Sequence, residues 1–255
     1  SCGSEPEWVV NSPFSVEDVM YFNRASLASA LYSIGWLPAL SLALLASCAS
    51  LAGERAGGRY TAPGGLFSLP FPELSLGATI EDQSGTNPET KLAAGMVSFH
   101  DDFGGLRVIQ YEQIRSEVGQ KFSDPTSAAG ALRGYTHDVT LAAIQQFSPQ
   151  TRILREEPVT LTDGVTAWFA VLEIPEGSPM VETSPEHPEG RRLDSTRGFL
   201  LLCRRDGLFL TLSAANDNVF AHVLADQAPS GGASQAQIDE LKNTLTRLYS
   251  SMSFA

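Results

Sequence analysis

A histidine next to carboxylates is the combination in this sequence that comes closest to a metal-binding group. His100, Asp101 and Asp102 are consecutive and precede Gly104-Gly105. Imidazole and carboxylate groups are both common metal ligands. Consecutive residues of a strand point to opposite faces, however, so His100 and Asp101 would not converge on one ion. We therefore predict the solvated tip of a β-hairpin here and no metal site.

Adjacent carboxylates offer a second chemistry, general acid–base catalysis in a hydrolase. The candidates are Glu156-Glu157 and Asp101-Asp102, and both pairs are predicted to be charges on solvated strand ends. The sequence also lacks the G-x-S-x-G, H-E-x-x-H, P-loop, dinucleotide-binding and C-x-x-C motifs. We therefore expect no catalytic residue and no cofactor, in a protein that is not an enzyme. A hydrolase with a cryptic carboxylate site stays open as an alternative.

The sequence contains three cysteines, Cys2, Cys48 and Cys203. Cys203 follows the apolar segment 199–202, and this context predicts a buried thiol that packs as a small hydrophobic side chain. A nucleophilic cysteine needs a base beside it, and the sequence indicates none near Cys203.

An apolar run at residues 31–46 is interrupted by Ser33 and Ser41, and Arg24 is the basic residue that precedes it. A secretory signal has the same layout, with a positive start, a short apolar core and small residues at the cleavage point. A membrane-spanning helix usually needs about 20 apolar residues, a length reached here only by including several serines and Pro38. We predict a cleaved signal, with an uncleaved signal anchor as the alternative.

The apolar run ends in Leu45-Ala46-Ser47-Cys48. This tetrapeptide resembles the lipobox of bacterial lipoprotein signal peptides, in which an aliphatic residue and two small residues precede a cysteine. The resemblance implies cleavage before Cys48, with Leu45, Ala46 and Ser47 as the cleavage motif and lipidation of Cys48. Several acyl chains anchor a protein durably, because each buried CH₂ contributes about 0.8 kcal/mol. Ala49 in place of aspartate implies an outer-membrane destination if the source is a two-membrane bacterium.

The sequence divides into four predicted parts. Residues 1–19 carry four acidic and no basic residues, which does not suit the start of a signal. We interpret them as upstream or non-native sequence before a true start at Met20, and a genuine acidic extension is the alternative. Residues 20–47 are the predicted signal peptide, residues 48–59 a flexible tether of small residues, and residues 60–255 a single domain.

The charge balance narrows the class of partner. The chain has 17 basic and 29 acidic residues and no basic block. Nucleic-acid binding depends on Lys and Arg side chains that neutralise phosphates, so we expect no nucleic-acid partner. The expected partners are the membrane, through N-terminal acyl chains, and a protein that the sequence does not identify.

Strand signals come in pairs separated by turn residues. The predicted pairs are 66–71 with 77–82 at a sheet edge, 95–103 with 106–114 around Gly104-Gly105, 151–161 with 165–174 around Asp163-Gly164, and 199–204 with 208–214 around Asp206-Gly207. The segment 165–174 is apolar on both faces, as is typical of a central strand that helices cover.

Two helical regions and one long loop complete the prediction. Residues 124–147 form the first helical region, opened by Asp124-Pro125. The last helix begins with a capping box, Ser234-x-x-Gln237. Its apolar face carries Ile238, Leu241, Leu245, Leu248 and Met252. The proline-rich segment 175–196 is predicted to be a loop that is either functional or disordered.

The order of strand pairs, helix, strand pairs and final helix is similar to that of Mog1/PsbP-like domains. The segment 60–70 (YTAPGGLFSLP) resembles the start of that family, and the segment 248–254 (LYSSMSF) resembles its closing helix. The resemblance implies an α+β fold, an α/β/α sandwich in which one antiparallel sheet carries helices packed on its faces. It also implies a binding or assembly factor without catalytic residues.

The function we predict is that of a lipid-anchored, extracytoplasmic bacterial lipoprotein in the cell envelope. It would act as a non-enzymatic binding or assembly module. The alternatives are a small-molecule or lipid carrier, with its ligand between the sheet and the final helix, and the hydrolase with a cryptic carboxylate site.

Overall fold

The structure is a computed structural model of the 255-residue chain. It describes residues 53–72, 79–87, 90–101, 105–178, 181–184, 187–216 and 233–255. The predicted signal peptide, the Leu45-Ala46-Ser47-Cys48 motif and the first part of the predicted tether lie outside the described residues.

The described residues are mostly strand, and their strand pairings are antiparallel. The strands are β1 (Glu54–Ala56), β2 (Arg59–Thr61), β3 (Phe67–Pro70), β4 (Thr79–Asp82), β5 (Gly85–Thr86), β6 (Ala93–His100), β7 (Gly105–Gln113), β8 (Arg152–Thr160), β9 (Thr166–Ile174), β10 (Val181–Ser184), β11 (His187–Arg192), β12 (Ser195–Cys203), β13 (Leu208–Asn216) and β14 (Ser253–Phe254). The large, eight-stranded sheet has the order β4-β6-β7-β13-β12-β9-β8, with β5 beside β6. The small, four-stranded sheet has the order β1-β2-β3-β14, and β10 and β11 form a separate two-stranded ribbon.

Three predicted hairpins are confirmed, since β6 pairs with β7, β8 with β9 and β12 with β13. Two of them turn at glycines with positive φ, +80° at Gly164 and +84° at Gly207. Gly207 also has no room for a side chain. A Cβ atom there would lie 2.5 Å from the carbonyl oxygen of Ile114, whose own N–H donates to the Gly207 carbonyl at 2.7 Å. The two Asp-Gly turns thus fix the register of the β8–β9 and β12–β13 hairpins.

The predicted architecture, an α/β/α sandwich with helices packed on the faces of a single antiparallel sheet, is wrong. The chain instead forms a sandwich-like fold of mostly antiparallel sheets with few helices. The difference arises at β3, which the sequence places at an edge of the single sheet. The predicted pairing of 66–71 with 77–82 is wrong, because β4 pairs with β6 of the large sheet. β3 pairs instead with β2 and with the two-residue strand β14, where Ser68 lies opposite Ser253. A partner so short and so distant in sequence leaves no periodic signal.

The small sheet packs against the large one through aromatic side chains. Tyr60, Phe67 and Leu69 are fully buried and share one core with Phe99 and Tyr111 of the large sheet. The ring centroids of Phe67 and Tyr111 are 5.2 Å apart, and those of Tyr60 and Phe99 are 6.2 Å apart, both in edge-to-face geometry. Such pairs contribute about 0.5–1.5 kcal/mol beyond the burial of area. The small sheet is therefore an integral part of the core.

Two helical regions lie close to their predicted positions, and the short helix Ser116–Gln120 was not predicted. The helices are α1 (Ser116–Gln120), α2 (Pro125–Tyr135), α3 (Ala142–Gln145) and α4 (Gln235–Ser251), with a π-helical turn at Thr136–Leu141 between α2 and α3. The side chain of Asp124 caps α2 by accepting from Ser127 N–H at 2.8 Å, and the capping box of Ser234 and Gln237 is confirmed. The predicted apolar face of α4 is buried. Helix α2 contacts β9 and β12, and α4 contacts β12 and β13.

The proline-rich segment 175–196 contains the ribbon of β10 and β11, which extends the hairpin formed by β9 and β12. One backbone hydrogen bond and one bond to a side chain fix the base of the ribbon. Ser178 N–H donates to Leu193 O at 3.0 Å, and Glu176 N–H donates to Asp194 Oδ1 at 3.0 Å.

The first described residues are already part of the fold. β1 lies inside the segment 48–59 predicted to be a tether, and Gly53 N–H donates to Asp82 Oδ2 at 2.7 Å. Residues 53–59, the described part of the predicted tether, thus belong to the fold. Within the described part of the chain, no helix is both long enough and apolar enough to cross a membrane.

Candidate functional site

Glu156 and Glu157, the carboxylates considered for a hydrolase, lie in the middle of β8 at the edge of the large sheet. Neighbouring strand residues point to opposite faces. Glu156 accordingly contacts side chains of α2 and the π-helical turn, and Glu157 contacts α4. Their side chains are only 19% and 28% exposed. The expectation of solvated charges at strand ends is therefore wrong for this pair.

The Glu156 carboxylate accepts hydrogen bonds from three side chains. Arg133 donates to Oε1 at 3.0 Å, and Trp168 Nε1 donates to Oε2 at 3.3 Å. His137 Nε2 lies 2.9 Å from Oε2, and it carries the hydrogen because an ionised carboxylate only accepts. Burial alone would raise the pKa of Glu156, but the bonds from His137 and Arg133 outweigh it and lower the pKa. Glu156 thus stays ionised and ties β8 to the helical region.

The Glu157 carboxylate is engaged on the opposite face. Lys242 Nζ of α4 donates to Oε1 at 2.9 Å, and Arg155 donates to both oxygens at 2.9 and 3.1 Å. Arg155 also donates to Asp239 of α4 at 3.0 Å. The bond from Lys242, opposed by partial burial and supported by Arg155, lowers the pKa of Glu157.

These contacts decide what the two carboxylates can do. A general acid or base must have a lone pair or proton free for the substrate, and each of these carboxylates is occupied by two or more donors. The two groups also face opposite sides of the sheet. Their arrangement holds the edge strand β8 to the helices beside it.

At the predicted hairpin tip, His100 and Asp101 contact different partners. His100 Nε2 lies 3.5 Å from Glu81 Oε1 on β4. Asp101 Oδ1 accepts from Gly105 N–H at 2.7 Å, and Asp102 lies outside the described residues. Across the part of the chain that the structure describes, no three His, Cys, Asp or Glu side chains are placed to hold a metal ion.

Cys203 is a free, buried thiol at the end of β12, as the sequence predicts. Burial, with a smaller contribution from the Asp206 carboxylate, raises the pKa of the thiol to about 12. The thiol is therefore protonated at neutral pH and is a poor nucleophile.

A network of polar side chains, which the sequence does not predict, holds Gly53 in place. Asp82 Oδ2 accepts from Gly53 N–H at 2.7 Å and from Tyr60 OH at 2.9 Å. Ser84 Oγ donates to Asp82 Oδ1 and accepts from Tyr111 OH, the latter at 2.7 Å. Burial raises the pKa of Tyr60 and of Tyr111. Tyr60, Asp82 and Tyr111 come from separate strands, and their sequence spacing gives no sign of the network.

A second unforeseen cluster joins two turns to the end of α4. Tyr249 OH donates to Asp163 Oδ2 at 2.7 Å. Arg204 contacts the same carboxylate at 3.3 Å, and its guanidinium lies 3.8 Å from the centre of the Phe254 ring. Burial, and next the bond to Asp163, raise the pKa of Tyr249 to about 12. The phenol is therefore neutral at physiological pH. The cluster holds the β8–β9 and β12–β13 turns against α4.

The predicted lipidation site, Cys48, and its cleavage motif Leu45-Ala46-Ser47 lie outside the described residues. The nearest described residue is Gly53, which the Asp82 carboxylate holds. The chain matches no known family model, and no curated protein matches it as a relative.

Proposed function

We propose that this protein is a lipid-anchored, extracytoplasmic lipoprotein that acts as a non-enzymatic binding or assembly module. Cys48 carries the acyl chains after cleavage behind Leu45-Ala46-Ser47. In a two-membrane bacterium the anchor places the domain at the outer membrane, since Ala49 replaces the aspartate that commonly retains lipoproteins at the inner membrane.

One observation carries the proposal. Gly53, which is bonded to Asp82 within the fold, is only five residues beyond Cys48 of the lipobox-like motif in the sequence. An N-terminal lipid anchor needs this layout, because the anchor must lie outside the folded domain.

Contacts at the two carboxylates argue against hydrolysis by this pair. Glu156 and Glu157 were the best catalytic candidates, and they contact opposite helical partners through several ion pairs. Carboxylates held in such ion pairs stabilise the fold. In the proposed module, a partner would therefore bind at the surface of the domain and not at these carboxylates.

The intact mass of the membrane-extracted protein tests the proposal. We expect a chain that begins at Cys48 and is heavier by the mass of several acyl chains. Cys48→Ser should lose that added mass and leave the membrane fraction. Cys203→Ala is the matched control, because Cys203 is buried and its replacement should leave the acylation unchanged. An unmodified chain that retains residues 31–46 would refute the anchor.

A further inference from the structure

We infer that the end of the small sheet around the β1–β2 turn, with Arg55, Arg59 and Phe71, is the surface that lies on the lipid bilayer. The inference rests on the proposed acylation of Cys48. It adds an orientation, in which the β4 side of the large sheet faces the membrane and the β8 side faces away.

Chain length places this surface near the bilayer. Gly53 is five residues beyond Cys48, and a fully extended chain of that length spans at most about 18 Å. Gly53 cannot swing away from the domain. Its N–H is bonded to Asp82, and its Cα packs so closely on Tyr60 that a Cβ would lie 2.5 Å from the ring. An acylated Cys48 thus keeps the end of the small sheet around the β1–β2 turn close to the lipid headgroups.

An exposed aromatic side chain beside the β1–β2 turn suits contact with lipid. Phe71 and Phe147 are the exposed large apolar side chains among the described residues, 37% and 60% exposed. Phe71 lies beside the β1–β2 turn, since its N–H donates to Gly58 O at 2.9 Å. Phenylalanine is one of the apolar residues with which interfacial segments enter the boundary between headgroups and acyl chains.

Two arginines lie on the strands beside the β1–β2 turn, Arg55 on β1 and Arg59 on β2. Arg55 donates to Ile80 O at 3.3 Å, and Arg59 donates to Ser68 Oγ at 3.1 Å, both at exposed positions. Their guanidinium groups have further donors for phosphate oxygens. The turn nearest the proposed anchor therefore carries two exposed cationic side chains, one exposed carboxylate, Glu54, and the exposed Phe71 ring.

Phe147 provides the matched position on the opposite side. It precedes β8, and the neighbouring Ser148 Oγ donates to Pro175 O at 3.0 Å, at the ends of β8 and β9. β4 and β8 are the two edges of the large sheet. Six strand spacings separate them, which corresponds to about 29 Å. A phenylalanine at each side of the domain thus reports its orientation.

The test uses the full chain, acylated in a bacterial host, with Phe71→Cys, Arg55→Cys or Phe147→Cys labelled with an environment-sensitive fluorophore. In the acylated chain the Cys48 thiol is blocked, and Cys203 is buried, so the label reports the introduced cysteine. Each protein is reconstituted into vesicles of phosphatidylcholine and phosphatidylglycerol that contain nitroxide-labelled lipid. The intact mass of each preparation is measured first.

We expect the nitroxide lipid to quench most of the fluorescence at positions 71 and 55 and little of it at position 147. An acylated protein with equal quenching at all three positions, or with the strongest quenching at 147, overturns the orientation and leaves the anchor in place. An unacylated mass refutes the anchor and the orientation together. Circular dichroism of each variant shows whether the fold is retained, and the two proximal labels, 71 and 55, provide independent readings.

Discussion

At the scale of single residues, the decisive feature is how Glu156 and Glu157 are used. Their adjacency could be read from the sequence, but their partners could not. Arg133, His137 and Lys242 are 19 to 85 positions away in the chain. Period-two alternation already implied that the two carboxylates face opposite ways. The same rule that argued against a metal site at His100-Asp101 thus applied equally to this acidic pair.

Replacement of Glu156 tests its structural role. Glu156→Gln keeps the shape of the side chain but removes the charge that Arg133 and His137 contact. Hydrogen bonds to charged groups contribute about 1.5–3 kcal/mol, so we expect the free energy of unfolding to fall by about 1–2 kcal/mol. Urea denaturation at neutral pH measures the loss. Glu117→Gln, at an exposed residue of α1, is the control and should leave stability unchanged.

The same contacts predict a pH dependence of stability. The pKa values of Glu156 and Glu157 are lowered in the folded state, so the folded state favours their ionised forms. Their contribution is fully present above the unfolded pKa, about 4.3, and is lost as the pH falls through the lower folded values. The stability difference between the native protein and Glu156→Gln should therefore shrink as urea titrations are moved from pH 7 to about pH 3. A difference independent of pH would mean that shape, and not charge, explains the effect.

At the scale of elements, local signals predicted local structure well. The Asp163-Gly164 and Asp206-Gly207 turns, the Asp124 cap and the Ser234 capping box lie where the sequence places them. Each depends on residues within a few positions of one another. The strands β1 and β14 were not predicted, because three and two residues are too few to show an alternating pattern. The ribbon in 175–196 was hidden by its prolines and acidic residues.

The two Asp-Gly turns offer a matched pair of substitutions. Gly164 and Gly207 both have positive φ, but nothing lies within 4 Å of a Cβ at Gly164, whereas one at Gly207 would meet the Ile114 carbonyl oxygen at 2.5 Å. Gly164→Ala should cost about 1 kcal/mol for the left-handed backbone alone. Gly207→Ala should cost more, about 2–3 kcal/mol, because the backbone must also shift. Thermal unfolding of both variants gives the comparison, and equal losses would contradict the close approach at Gly207.

At the scale of the whole molecule, contacts distant in sequence hold the two ends of the described chain. Gly53 is held by Asp82, and Phe254 pairs with Phe67 and lies against Arg204. Because of such contacts the chain forms two packed sheets, whereas the prediction had a single sheet. No periodicity encodes them, because they depend on which strands meet after the hairpins have formed. The composition of the sequence could predict a large core but not its division between two sheets.

The packing of the small sheet on the large one leads to a final prediction. Two phenylalanines that are close in sequence, Phe67 and Phe71, provide the test and its control. Phe67 is fully buried between the sheets, with its ring centroid 5.2 Å from that of Tyr111, whereas Phe71 is 37% exposed. Truncation of a buried phenylalanine costs about 3–5 kcal/mol, so Phe67→Ala should lower the unfolding free energy by that amount. Phe71→Ala should change it by less than about 1 kcal/mol. If Phe67→Ala does not fold, Phe67→Leu provides a measurable intermediate loss by urea denaturation. Small and equal effects at both positions would mean that the small sheet contributes little to the core, and the sandwich-like packing would then be refuted.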